Sequence, residues 1–110
     1  MNVVPVVHLI ASCIVVTAAL PLVSGRVKMN AWYGIRIPQA FESEERWREI
    51  NRYGGRLFLY WGVVIGLFAV CGLPLPRSWW VTYNLASLVP IFGGLLAIIA
   101  LINRFAKRKT

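Results

Sequence analysis

The sequence predicts an all-α membrane protein with three transmembrane helices. Three observations predict it: three long stretches without formal charge, few charged residues overall, and Lys and Arg gathered beside alternate ends of those stretches. Of 110 residues, 58% are hydrophobic and 15% charged, with mean hydropathy +0.64; a soluble domain carries about 25% charged residues. The length allows a single domain, residues 1–110. A net charge of +8 would suit nucleic acid, but the basic residues flank apolar stretches instead of sharing a soluble face with aromatics. The partner they imply is anionic phospholipid headgroups, and no nucleic acid is expected.

The first span is residues 3–25, VVPVVHLIASCIVVTAALPLVSG. At ~1.5 Å per residue it crosses a ~30 Å hydrocarbon core. Its start, MNVV, lacks the basic n-region of a signal peptide, so an uncleaved span is expected. His8, the only histidine, shares its span with no acid and is expected to hydrogen-bond to neighbouring backbone. Cys13 and Cys71 both lie in apolar runs with no metal-type spacing, so neither a metal nor a disulfide is expected.

An interfacial helix is predicted over about 43–54. Ser43 is a hydroxyl cap, and Glu44 and Glu45 follow where the helix dipole is positive. Trp47, Ile50, Asn51 and Gly54 recur on one side, to face lipid or the bundle. Glu44–Arg48 and Glu49–Arg52 have ion-pair spacing. Gly54-Gly55 then either bends the chain or lets it pack closely on entering the second span, residues 57–76. A tight LPRS turn makes an antiparallel hairpin with the third span, residues 79–102, which Trp79 and Trp80 open at headgroup level. Pro90 and Gly93-Gly94 should bend the third span or pack it closely.

Lys and Arg fix a direction. Arg26, Lys28, Arg36, Arg46, Arg48, Arg52 and Arg56 join spans one and two, Arg104, Lys107, Arg108 and Lys109 form the tail, and the hairpin has only Arg77. The N-terminus is therefore expected outside, with the 26–56 segment and the C-terminus inside. Arg26, Lys28, Arg46, Arg56 and the tail read as ordinary anchors on headgroup phosphates.

GIRIP, residues 34–38, is not explained by anchoring. Gly34 supplies backbone freedom and Pro38 pushes Ile37 towards an extended conformation, so Arg36 stands on a constrained turn. Such a guanidinium either holds a phosphate or carboxylate or ties the turn to Glu42, Glu45 or Glu49. The chain has no Asp, and its four acids all lie between 42 and 49. No Ser/His/Asp set can be assembled, and no span offers the acid that a proton-coupled exporter needs. The alternative to a non-catalytic protein is an interfacial enzyme or lipid-phosphate handler, with Glu45 or Glu49 as base beside Arg36 and Arg52. No cofactor is called for. A protein partner or homo-oligomer would complete any transport pathway, since three spans enclose little space.

The stretch NAWYGIRIPQAFESEERWREINRYGG resembles the signature of the SdpI family, bacterial membrane proteins named for an immunity protein against a secreted sporulation-delaying toxin. The matching residues are Asn30, Gly34-Ile35-Arg36, Pro38, Trp47, Asn51-Arg52 and Gly55, spaced as N-x(3)-GIR-x-P and W-x(3)-NR-x(2)-G. Ile37 stands where a small hydroxyl residue is common. The resemblance implies a protein of the bacterial cytoplasmic membrane, in toxin immunity or signalling. Together with the local chemistry it marks Asn30, Gly34, Arg36, Pro38, Glu45, Trp47, Asn51 and Arg52 as the candidate ligand- or partner-binding set.

Overall fold

A computed structural model describes residues 2–108; Lys109 of the basic tail lies outside the described residues. Helix α1 is Val3–Val23, α2 is Glu44–Gly72, α3 is Trp80–Leu88 and α4 is Gly94–Arg108. A short 3₁₀ turn, Arg77–Trp79, leads into α3, and a π-helical turn, Val89–Gly93, joins α3 to α4. Three helical units are thus long and apolar enough to cross a membrane: Val3–Val23, Glu44–Gly72 and Arg77–Arg108.

The units alternate in direction. Ser12 of α1 lies against Gly62 and Gly66 of α2, while Leu22 and Val23 lie against Gly55. From α2 to the third unit, Gly72 meets Tyr83, Trp61 meets Gly94 and Gly54 meets Ile102. The Arg and Lys residues of the 26–56 segment and those of α4 therefore share one end, here called the basic end, and Arg77 lies at the other.

Small residues let α1 and α2 approach, as expected where lipid offers no hydrophobic drive to associate. A Cβ added at Gly62 would lie 2.9 Å from Val16 and 3.1 Å from Val15. Ser12 Oγ donates to the Gly62 carbonyl at 2.6 Å. At the far end Asn2 caps α1, accepting from Val4 N at 3.2 Å, and donates to Asn84 Oδ1 at 2.9 Å. Among the described residues His8 makes no backbone hydrogen bond through its ring, contrary to expectation. That ring instead lies 6.2 Å from Tyr83, whose hydroxyl donates to the Phe68 carbonyl at 3.2 Å.

Residues 43–54 do not form a separate interfacial helix. Their helical part is the first turns of α2, which continues through Gly54-Gly55 without a break. Tertiary packing overrides the low helix propensity of the two glycines: Gly54 abuts Ile35 and Ile102, and Gly55 abuts Leu22 and Val23. Close packing within an unbroken helix is thus the outcome at this pair. At ~1.5 Å per residue α2 is roughly 43 Å long against a ~30 Å hydrocarbon core, so its length exceeds one crossing by roughly two to three turns, as many as the polar first turns at the basic end. There they join a compact core of Ala40, Trp47, Ile50, Ile98, Ile102 and Ala106. The other end of α2 stops at Gly72, so Pro74 and Pro76 lie in the hairpin turn and not in the span. Of the glycine pair in the third unit, Gly94 packs on Trp61, whereas Gly93 has open space beside it.

Gly62→Leu should therefore lower the unfolding midpoint in detergent, by an overpacking cost of ~1–3 kcal/mol, whereas Gly93→Ala should shift stability by less than ~1 kcal/mol. Thermal unfolding followed by far-UV circular dichroism in one detergent checks the contrast.

Candidate functional site at the basic end

The loop between α1 and α2 starts with a C-terminal helix cap. Gly25 takes φ +73°, Gly25 N–H donates to Leu22 O at 3.2 Å, and Arg26 N–H donates to Pro21 O at 3.1 Å. This is the glycine-terminated double bond that satisfies orphaned helix carbonyls. Arg52 adds a third cap, its Nε donating to Val23 O at 3.2 Å. Its charge meets the negative end of the α1 dipole.

Asn30 folds the next turn. Its Oδ1 accepts from Trp32 N at 2.8 Å and Tyr33 N at 2.7 Å, and its Nδ2 donates to Lys28 O at 2.7 Å and Tyr33 O at 3.1 Å. All the hydrogen-bonding capacity of the amide is used within the loop. The Tyr33 hydroxyl donates to Ala18 O of α1, and Arg36 NH1 donates to Ala31 O at 2.6 Å, closing the turn on itself.

Asn51 joins that loop to α2. Its Oδ1 accepts from Ile35 N at 2.6 Å, while its Nδ2 donates to Ile35 O at 3.3 Å and to Trp47 O at 2.9 Å. One side chain thus treats Ile35 as a neighbouring strand would, matching both its backbone donor and its acceptor. Asn51 is 2% exposed; its bond to Trp47 is buried and its two bonds to Ile35 are partly so. Gly34 adopts φ +116° beside it, where an added Cβ would lie 2.7 Å from Asn51 Oδ1 and 3.0 Å from the Trp47 ring. Trp47, 1% exposed, donates from Nε1 to Val27 O at 2.9 Å. Its face is turned to the loop and the bundle, the second of the two orientations expected.

Pro38 does as its chemistry requires. Ile37 before it is extended, at φ −78° and ψ 158°, and a 3₁₀ turn over Pro38–Phe41 carries the chain to α2. Ala40 is fully buried, and the Phe41 ring lies 5.4 Å from Trp47. Ser43 caps α2, accepting from Arg46 N at 3.0 Å.

The eight candidate residues do not converge on one cavity. Arg52, Arg36 and Asn30 bind backbone carbonyls at three separate places, and Glu45 is exposed on the first turn of α2 without an ion pair among the described residues. Arg36, Arg52 and Glu45 are therefore not brought together as an interfacial enzyme with Glu45 as its base would need. The Glu44–Arg48 pair does not form either; Glu42 and Arg46 form an ion pair at 3.6 Å. Two apolar clefts flank Ile35. One, of ≈ 300 Å³, lies against α1 and includes Ala18, Leu22, Tyr33 and Trp61; the other, of ≈ 280 Å³, lies against α4 and includes Ile37, Ile99 and Ile102.

The model of the SdpI/YfhL protein family matches residues 26–104. The chain belongs to the SdpI/YfhL family. No curated protein and no solved structure matches it. The matched region begins one residue after the Gly25 cap and takes in the loop, α2, α3 and most of α4, so in this SdpI/YfhL protein the Asn51–Ile35 pairing lies wholly inside the family segment.

Arg46 is the residue sequence reasoning misplaced. It is not an anchor in the headgroups: its side chain is only 12% exposed, and NH2 donates to Ala106 O at 2.7 Å, tying the start of α2 to the last turns of α4. Nε and NH1 are buried without hydrogen-bond partners, although Nε keeps its ion pair with Glu42. The four-residue spacing of Glu42 and Arg46 was the available signal. The link to Ala106 spans 60 positions and had none.

Asn51→Leu should destabilise this end by ~1–3 kcal/mol for each Ile35 backbone group left buried and unpaired. It should also open the 26–37 loop to protease while α1 remains intact. Arg46→Ala should loosen the C-terminal turns of α4, read as faster amide exchange over 102–108, whereas Arg36→Ala should leave exchange there unchanged.

Proposed function

We propose that this chain is a non-catalytic protein of the bacterial cytoplasmic membrane that binds a protein partner, in toxin immunity or signalling, through its folded basic end. Family membership supports an SdpI-like membrane protein, and the excess of Lys and Arg at one end supports placing that end in the cytoplasm. The observation that carries the reading is the use made of the polar set. Asn30, Gly34, Asn51 and Arg52 form a rigid mount, and what the mount displays is Trp32, 88% exposed, on the same closed turn as the exposed Arg36.

An exposed Trp beside an Arg is the side-chain chemistry that dominates protein interfaces. Preorganisation of the turn lowers the ordering cost on binding. Four of the five N–H donors of the Arg36 guanidinium remain for a partner carboxylate, since one is used on Ala31 O.

Two measurements test the reading. With Cys13 and Cys71 replaced, Glu45→Cys should react with an impermeant maleimide only after the membrane is opened; reaction in intact cells would place the basic end outside. A photocrosslinking amino acid at position 32 should give a discrete protein adduct in native membranes that Arg36→Ala removes. Crosslinks to lipid alone would overturn partner binding by this turn.

A further inference from the structure

Tyr53 of α2 and Phe105 of α4 stack face to face, their ring centroids 4.1 Å apart and their planes 7° from parallel. Beside the stack is a cleft of ≈ 190 Å³ lined by Tyr53, Leu101, Arg104, Phe105 and Arg108. None of the eight residues of the candidate site lines it.

Arg104 and Arg108 stand one helical turn apart, so their charges share a face, and like charges at that spacing repel. Neither guanidinium has an ion pair or hydrogen bond among the described residues, nor does the Tyr53 hydroxyl. Two cations and a hydroxyl donor therefore border one recess with no acceptor supplied by the described protein. A helix C-terminus would ordinarily disfavour an anion, but Arg46 occupies the Ala106 carbonyl of this one.

The depth of the cleft narrows the ligand. Leu101 gives it an apolar wall one turn before Arg104, where the uncharged run of α4 ends, and both arginines follow that run in the sequence. Basic pockets between transmembrane helices are where lipid head groups are held. We propose that the cleft between α2 and α4 binds the phosphodiester of an anionic phospholipid, with Arg104 and Arg108 on its oxygens, the Tyr53 hydroxyl donating to it and an acyl chain running along Leu101. This site is independent of what the Trp32 turn binds.

The full chain, purified in a neutral detergent, is titrated with phosphatidylglycerol or phosphatidylcholine and followed by native mass spectrometry. Phosphatidylglycerol should saturate at one molecule per chain and bind at least ~10-fold more tightly than phosphatidylcholine, whose headgroup charge is balanced. The Arg104→Gln/Arg108→Gln double variant should weaken phosphatidylglycerol by ~10-fold or more, and Tyr53→Phe, which keeps the ring stack, by about 3-fold. Arg26→Gln/Arg48→Gln, the same change of charge elsewhere at this end, should alter it by less than ~2-fold. Equal losses in the two double variants would show diffuse attraction and overturn the site. Displacement of the lipid by millimolar inorganic phosphate would overturn a lipid-specific site in favour of a soluble phosphate. Should the double arginine variant not fold, Tyr53→Phe and the phosphate competition decide the matter.

Discussion

The backbone of Ile35 has to be satisfied in a partly buried turn, and Asn51 satisfies it. A loop packed beneath a helical bundle cannot leave peptide groups unpaired without a cost of ~1–3 kcal/mol each. With no strand beside Ile35, one amide side chain supplies both the acceptor and the donor. Gly34 follows from this pairing, because any side chain there would meet Asn51 and Trp47. So does the packing of half-buried Ile35 against Gly54, a residue that also lies against Ile102 of α4.

The division of the chain between membrane and polar block is therefore not a division between fold and function. The polar block contains the better-packed part of the molecule: Trp47, Ile50, Ala40 and Ala106 are essentially inaccessible, while much of α1 and α3 is exposed to the surroundings of the bundle. Helices in lipid associate through close contact and hydrogen bonds, as at Ser12–Gly62. The basic end can also draw on the burial of apolar surface from water. Both kinds of cohesion act on α2, which is long enough to serve in each environment.

Hydropathy made the three spans legible to within a few residues at most ends, because a bilayer admits so few backbone solutions. The face of α2 carrying Trp47, Ile50, Asn51 and Gly54 was legible from its spacing, and the extended Ile37 from Pro38. The continuity of α2 was not. Gly54-Gly55 reads as a break unless one knows that Ile35, Ile102 and Val23 lie against it, and those contacts join distant parts of the chain. Arg46 was hidden for the same reason, since nothing local distinguishes an arginine that reaches Ala106 from one that reaches lipid. Within the candidate set, residue type and spacing singled these residues out but did not show that Asn30 and Arg52 are occupied in holding the loop together.

The π-helical turn at Val89–Gly93 has a consequence for how one helix can serve two contacts. In an uninterrupted α-helix each residue advances by about 100°, so Tyr83 and Ile102, 19 positions apart by subtraction of their numbers, would be out of phase by about 100°. The wider turn absorbs roughly one residue of rotation. Tyr83 can then meet Gly72 while Ile102 meets Gly54, both along α2. Pro90 removes a donor where the regular ladder is already interrupted, and Trp61 Nε1 reaches its carbonyl at 2.9 Å. The turn works as a vernier between two gear trains: it sets the angular register of α4 independently of α3, and with it whether Ile98, Ile102 and Ala106 point at Trp47 or away from it.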